Sequence, residues 1–438
     1  MSYKLSNYNF FVEYKGRVIL HNLLTGSLFS FERDLFDKIN ISLNKINSSD
    51  KINPHIFDLL VNTGFIIDSE FDEIDYIRLS YIKEMAINPF YRLTINPSLE
   101  CNFSCWYCYQ NHPKGHMSQE VQNKIKLLCD NLINGNQVSG INLGWFGGEP
   151  LMYFNEVVYP LSYQIKKIVD DKNLRFYNSI TTNGFLATQD LISKFREIEL
   201  SEFQITLDGD EKRHNKIRNH NGKPSFSRIA ENINLIVNSN NDAKICLRIN
   251  YDKKTFNGLN SIFKYFANIK NNIYIDLQRV WQTYEEEGMP IGNSAIEFSN
   301  QCIENGFKLM NSYITTGKGT PCYADRMNFA HINFDGKVYK CTARNYEEKN
   351  ELGIIDDKGF IKWHTGKLMP PHRKFSFDNE QCLKCKYLPI CLGPCFQKRF
   401  EKTLEAGYCF AQGYNEFIKD YIILKYRQKF NDQQNQTR

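Results

Sequence analysis

The chain has 438 residues, which at roughly 150 residues per domain predicts about three domains and ample length to bury a core. Its 54 Lys and Arg against 49 Asp and Glu leave a formal charge of +5, too even for a sequence-independent nucleic-acid binder, which shows a concentrated basic stripe. Hydrophobic residues at 42% and charged residues at 24% are ordinary, but thirteen cysteines, ten of them in two clusters, are not.

Met1 to Phe10 carries no basic stretch followed by an apolar one, so no secretory signal is expected. No apolar window of about 18 residues predicts a membrane span. The expected location is the cytoplasm. Thiols stay reduced there, and clustered cysteines are more often metal ligands or catalytic groups than disulfides.

Residues 1–85 read as a separate module. Phe10 to Tyr14 and Arg17 to Leu20 are apolar runs split by the turn signal Lys15-Gly16. A short run, Ser27 to Phe31, and a helix, Glu32 to Ile39, follow. Asn53 and Pro54 predict a helix start, Gly64 its end, and Phe65 to Ile67 a strand. This order is winged-helix-like. Asp68 to Asp75 reads as an acidic linker edge. The helix after Asn53 carries Asp58 and no Lys or Arg, unlike a DNA-recognition helix.

Strands and helices then alternate over 90–285. Strands are predicted at Tyr91 to Asn96, Ile141 to Phe146, Arg175 to Thr182, Glu202 to Asp208, Lys244 to Tyr251 and Ile273 to Val280. Helices are predicted at Ser118 to Ile133, Asn155 to Val169, Thr188 to Ile198, Ser225 to Val237 and Asn257 to Ile269. Six such units predict an α/β fold, a partial (β/α)6 TIM-like barrel with its ligand site at the C-terminal strand ends. Ser294 to Thr316 reads as one long bridging helix within 286–320. Residues 321–412 are turn-rich and cysteine-dense, too poor in apolar residues to fold on a core alone. A last helix, Phe410 to Phe430, and a polar tail make up 413–438.

The first cluster, Cys101, Cys105 and Cys108, has CxxxCxxC spacing directly after the first barrel strand. Three thiolates would leave one iron of a [4Fe–4S] cube open; a zinc site short of one ligand is the plainer alternative. The second barrel strand ends in Gly147-Gly148-Glu149-Pro150. Later strand ends read Thr182-Asn183-Gly184 and Thr206-Leu207-Asp208-Gly209; alone, these are caps or turns. The C-terminal cysteines are Cys322, Cys341, Cys382, Cys385, Cys391, Cys395 and Cys409, whose CxxC pair alone leaves a zinc ribbon open. Cys129, Cys246 and Cys302 stand apart with apolar neighbours and read as core thiols.

Taken together, Tyr91 to Cys409 resembles the radical SAM/SPASM enzymes. The motif, with Tyr107 before its last cysteine, and the GGEP sequence carry the resemblance. It implies SAM as cofactor, with contacts from Tyr107, Gly147, Gly148, Glu149, Pro150, Asn183, Thr206, Asp208 and Arg218. It implies three [4Fe–4S] clusters. Cys101, Cys105 and Cys108 would hold the SAM cluster. Cys382, Cys385, Cys391 and Cys409 would hold an outer auxiliary cluster, and Cys322, Cys341 and Cys395 an inner one. Some relatives have an eighth cysteine, but Tyr323 to Phe329 contains none. An inner cluster with one iron free of cysteine is therefore expected, open to substrate thiolate, water or Asp325. The chemistry implied is a 5′-deoxyadenosyl radical that abstracts hydrogen from a substrate carbon. The electron would come from a flavodoxin- or ferredoxin-type donor. The N-terminal module resembles the leader-capture element of maturases of ribosomally made peptides. A precursor peptide is thus the expected partner and a crosslink, most readily a thioether, the expected product; neither nucleic acid nor membrane is expected. A sulfatase-maturing enzyme that makes formylglycine is the alternative reading, and a non-catalytic iron–sulfur carrier or zinc-ribbon protein a third.

Overall fold

A computed structural model describes residues 2–43, 53–87, 89–280, 282, 293–310, 321–368, 375–401, 409 and 414–436. The chain forms two compact units. One comprises 1–85, 311–322 and 373–438; the other comprises 86–310 and 323–372.

In the first unit, strands β1 (Tyr3–Leu5), β2 (Asn9–Tyr14), β3 (Arg17–Asn22), β4 (Leu28–Glu32) and β5 (Ile66–Asp68) form two small sheets. β2–β3–β4 is an antiparallel meander, and β1 pairs with β5. Lys15 (φ 50°) and Gly16 (φ 75°) both take the left-handed conformation that a tight two-residue hairpin needs. Helices Arg33–Leu43 and Pro54–Asn62 follow; Asn53 caps the second by accepting from the His55 amide at 3.0 Å. A buried cluster of Val18, Leu20, Phe36, Leu60 and Phe65 joins them. Buried Asn22 ties the unit together: its Nδ2 donates to Ser6 Oγ, Asn9 Oδ1 and the Gly64 carbonyl, and its Oδ1 accepts from the Leu24 and Thr25 amides. The expected acidic linker edge, Asp68 to Asp75, joins the end of β5 to a helix, Glu73–Ala86, which takes up its last three residues. Asp72 accepts from the Ile74 and Asp75 amides, and the acidic first turn suits the helix dipole.

The last helix spans Tyr414–Gln436, longer than the sequence pattern suggests. Its Ile418 and Ile422 join Tyr8, Val12, Ile19, Ile77, Leu388 and Leu392 in a second buried cluster of this unit. The cysteine-dense stretch is thus divided: 323–372 belongs to one unit and the chain from 373 to the other.

The second unit is built on an eleven-stranded sheet. Strands β6 (Phe90–Ile95), β7 (Gly140–Trp145), β8 (Arg175–Thr182), β9 (Leu200–Thr206), β10 (Lys244–Tyr251) and β11 (Ile273–Arg279) lie parallel in sequence order, as expected of six β/α units. β12 (Lys308–Leu309) extends the β11 edge in parallel. β13 (Phe329–Ile332) lies parallel on β6 and leads into the antiparallel β14 (Lys337–Tyr339), β15 (Gly353–Ile355) and β16 (Ile361–Trp363). Along β10, Ile245, Leu247 and Ile249 are buried, while Lys244, Cys246, Arg248 and Asn250 take the other face. One face of the sheet is therefore apolar and the other polar, with water-accessible residues, because successive side chains alternate.

The expected helix over 294–316 runs only Asn293–Glu304. Gly306 (φ 80°) turns the chain left-handed, the conformation glycine tolerates best, and Lys308–Leu309 enters the sheet; 311–316 lie outside the described residues. The expected helix at 155–169 begins as a 3-10 turn, Pro150–Tyr153, and a π turn, becoming α-helical at Tyr159–Asp170. The helix expected over 257–269 is α-helical only at Ile262–Phe266, between 3-10 turns. A helix at Glu211–Ile217, capped by Asp210, was not legible from periodicity.

Candidate active site

The cysteine loop leaves β6 and is clasped at its neck. Glu100 Oε1 accepts from the Gly115 amide at 2.6 Å and from the Tyr153 hydroxyl at 2.8 Å. Ser98 Oγ donates to the Gly115 carbonyl, and His112 Nδ1 meets the Leu99 carbonyl at 2.7 Å. All thirteen cysteines are free thiols. In this loop Cys101 interacts electrostatically with Cys105, and Cys105 with Cys108. Burial, helped by Glu149, pushes the Cys101 thiol up to about 12 and also raises Cys105. Burial acts the same way on Cys108, but His112, 3.5 Å away, and the Gln110 amide outweigh it and lower that thiol.

The Gly-Gly-Glu-Pro segment lies against this loop's backbone. A side chain on Gly148 would come within 2.1 Å of the Glu100 carbonyl, and one on Gly147 (φ 114°) within 2.3 Å of the Ser98 carbonyl. What both glycines visibly provide is this approach to residues 98–100. The Glu149 amide donates to the Glu100 carbonyl at 2.8 Å. The Glu149 carboxylate is fully buried. It accepts from the Leu151 amide at 3.0 Å, the Thr182 hydroxyl at 2.6 Å and the Asn183 amide at 2.7 Å. Burial pushes this carboxyl up, and the three donors oppose the rise. Pro150 opens the 3-10 turn that Glu149 caps. Asn183 Nδ2 donates to Asn102 Oδ1 at 2.7 Å, so the Thr-Asn-Gly turn reaches the cysteine loop as well.

A second network holds the loop from the ends of β9 and β10. The Tyr107 hydroxyl donates to Asp208 Oδ2, and accepts from Arg218 Nη1 at 2.7 Å and Asn250 Nδ2 at 3.2 Å. Asp208 Oδ1 takes the Asn250 amide at 3.0 Å. Arg218 is 3.6 Å from Asp208 Oδ2 and lies over the Phe103 ring. Thr206 ends β9, in register with Arg248.

His214 and Ser225 complete this network and were missed by sequence reasoning. The Asp208 amide donates to His214 Nδ1 at 3.2 Å, which leaves Nε2 to donate to Ser225 Oγ at 3.1 Å. The Ser225 hydroxyl donates to the Arg218 carbonyl. Burial, with Arg218 nearby, drives the His214 pKa well down, so it stays neutral. The only local signal was His214 four residues after Asp210.

Among the C-terminal cysteines of the first unit, Cys391 interacts electrostatically with Cys385, Cys409 and Cys382. The four thiols are near enough to feel one another's charge, but no group of three or more His, Cys, Asp or Glu among the described residues is already arranged to hold a metal ion. Cys322 and Cys395 belong to the first unit and Cys341 to the second. Asp325 is buried in a short 3-10 turn. Cys129 and Cys302 are core thiols, fully buried. Cys246 is not: it is partly exposed and lines a cavity of about 650 Å³ with Arg92, Glu202, Gln204 and Arg248. Its neighbours Ile245 and Leu247 are apolar, but strand alternation turns it to the polar face.

Buried thiols resist ionisation, and a bound metal removes that penalty. Three thiols, two of them held protonated by burial, on one clasped loop at the C-terminal end of a parallel strand fit a cluster that takes three cysteines. Residues 95–251 match the family model for the Radical SAM superfamily. These residues form a radical SAM domain, and the chain that carries it is an enzyme. SAM and the [4Fe–4S] cluster of that domain are its cofactors. The chain is 25% identical over 361 residues to a cysteine-type anaerobic sulfatase-maturating enzyme of Clostridium perfringens, covering 75% of this chain and 95% of that one. It is 22% identical over 333 residues to the radical SAM cyclopropyl synthase TigE of Paramaledivibacter caminithermalis, covering 68% and 66%. In fold it is similar to native anSMEcpe solved with bound AdoMet, at a TM-score of 0.60 and 22% identity, over 79% of this chain and 100% of that one. No helix among the described residues is long and apolar enough to cross a membrane.

Proposed function

We propose that this enzyme modifies a peptide by removing hydrogen from a side-chain carbon and joining that carbon to another side chain, a cysteine sulfur by preference. The observation that carries the reading is the clasped Cys101/Cys105/Cys108 loop, tied through Glu149 and Asn183 to one side and through Tyr107 to the other. When bound, the cluster and SAM supply a carbon radical that takes a hydrogen atom. The chain's own work is to fix the loop, keep Arg218 charged beside Asp208, and shelter the reacting carbon from water. Cys382, Cys385, Cys391 and Cys409 would hold an outer auxiliary cluster. Cys322, Cys341 and Cys395 would hold an inner one with an iron left for a substrate thiolate. In thioether formation the carbon loses a hydrogen atom, the thiol loses a proton, and the auxiliary clusters accept the remaining electron. The meander β2–β3–β4 has two edge strands, β2 and β4, to which a leader peptide would add as a further strand. Precursor peptide and a small reducing protein are the proposed partners.

A second reading is favoured by the similarity to the Clostridium perfringens enzyme along 95% of its length: oxidation of a Cys or Ser in a sulfatase to formylglycine. Anaerobic incubation with SAM and dithionite tests the shared step through 5′-deoxyadenosine; none from a fully loaded enzyme refutes both readings. Mass spectrometry of a cysteine-bearing peptide then separates them. A crosslink removes two hydrogens and keeps the sulfur, whereas formylglycine loses the sulfur and captures a hydrazide reagent.

A further inference from the structure

The polar face of the parallel sheet holds charge that the network around Tyr107 does not use. The charged residues lining its cavity of about 650 Å³ are Arg92, Lys244, Arg248 and Glu202, three cations against one carboxylate. Arg248 donates from Nε to Asn250 Oδ1 at 3.1 Å. Among the described residues, no acceptor meets its two terminal amines. Asp276, its register neighbour on β11, attracts Arg248 electrostatically but makes its hydrogen bond to Gln278 Nε2, at 2.8 Å. Arg92 lies over the Tyr323 ring, 5.9 Å from its centre, and likewise has no hydrogen-bond acceptor among the described residues. Two arginines thus turn open donors toward one cavity. A guanidinium held at Nε, with both terminal amines open, is shaped for a carboxylate.

We infer that this cavity is a subsite for an acidic side chain of the peptide substrate, with an aspartate or glutamate carboxylate seated on Arg248 and Arg92 adding attraction across the cavity. The inference rests on the peptide-modifying reading above and names what that peptide must carry. Asn250 links the subsite to the reaction centre, because its side chain bonds both Arg248 and the Tyr107 hydroxyl. A seated carboxylate therefore fixes the substrate chain relative to the cysteine loop.

The test uses the loaded enzyme under anaerobic conditions. N-acetyl-glutamate N-methylamide and its glutamine counterpart are titrated by calorimetry, with inorganic phosphate in a third arm. The glutamate probe is expected to bind about tenfold more tightly than the glutamine probe, and the gap is expected to close in Arg248→Gln. Should that variant not fold, Arg248→Lys decides: it keeps the charge but loses the fork, and the preference should fall about threefold. Equal binding of the two probes to the wild type, or an unchanged preference in the variants, overturns the subsite. So does phosphate binding more tightly than the glutamate probe, which would make this a site for free anions. Formation of 5′-deoxyadenosine reports separately on the enzyme reading. If it forms and no glutamate preference exists, only the subsite falls; if it never forms while the preference holds, the proposed reaction falls instead.

Discussion

Glu149→Gln isolates the clasp that joins the second and third parallel strands. The carboxylate takes three donors, from Leu151, Thr182 and Asn183, at 3.0, 2.6 and 2.7 Å. It is fully buried, so no water replaces a lost partner. Glutamine has nearly the same shape, but its amide nitrogen must face one of the donors. Facing the Asn183 amide, it would leave a buried N–H unpaired, which costs about 1–3 kcal/mol, and the loss of charge from the remaining bonds adds a similar amount. A total near 3 kcal/mol is expected. At roughly 2–4 °C per kcal/mol for a unit of this size, the thermal transition should fall by about 6–12 °C. Asn183 also holds Asn102 in the cysteine loop, so affinity for SAM should fall with stability. Calorimetry of the apo-protein and equilibrium dialysis with labelled SAM measure both. A transition within about 2 °C of wild type, together with an unchanged SAM affinity, would show that the clasp is not a structural element of the site.

Other perturbations probe other parts. Tyr107→Phe removes the hydroxyl on which Asp208, Arg218 and Asn250 converge; 5′-deoxyadenosine formation should drop at least tenfold while the folded circular-dichroism spectrum persists. Asn22→Ala deletes six hydrogen bonds made by one buried side chain of the first unit and should destabilise it by about 3 kcal/mol, read as faster amide exchange in β2–β4. His21 is buried; burial, with Lys425 nearby, lowers its pKa from 6.5 to about 4. The folded state therefore binds fewer protons than the unfolded one, and stability should fall by about 2 kcal/mol between pH 7 and pH 5, a loss that His21→Gln should largely abolish in denaturant titrations. His331 is fully buried, stacked on Tyr346, with no hydrogen-bond partner for either ring nitrogen among the described residues; His331→Phe should raise stability by about 1–2 kcal/mol, most clearly in acid.

What the sequence discloses depends on the range of the interaction. The six parallel strands were legible because alternation is local: Lys244 to Tyr251 states its two faces in eight consecutive residues. The same parity pointed Cys246 to the face of Lys244 and Arg248, a signal overridden by its apolar neighbours. The start of the helix at Glu73–Ala86 lay hidden in the acidic stretch Asp68 to Asp75, which suggests solvent and a linker, although Asp72 ahead of Glu73 and Asp75 is equally a helix start. The bridging helix failed at one residue, Gly306, whose turn periodicity averages away. The site divides the same way. The cysteine spacing lies within eight residues and was readable. The contacts that hold it lie far apart in sequence: Glu149 to Asn183, Tyr107 to Arg218, and His214 to both Asp208 and Ser225. Motif reading took Glu149, Asn183 and Arg218 for ligand contacts; each is visibly occupied first with another protein group. Residues carried over as cofactor contacts here include the framework that aims the cysteine loop, and substitution at them should lower stability together with activity. Arg248 differs in kind. Its terminal amines have no partner among the described residues, so its replacement should change what binds before it changes whether the fold holds.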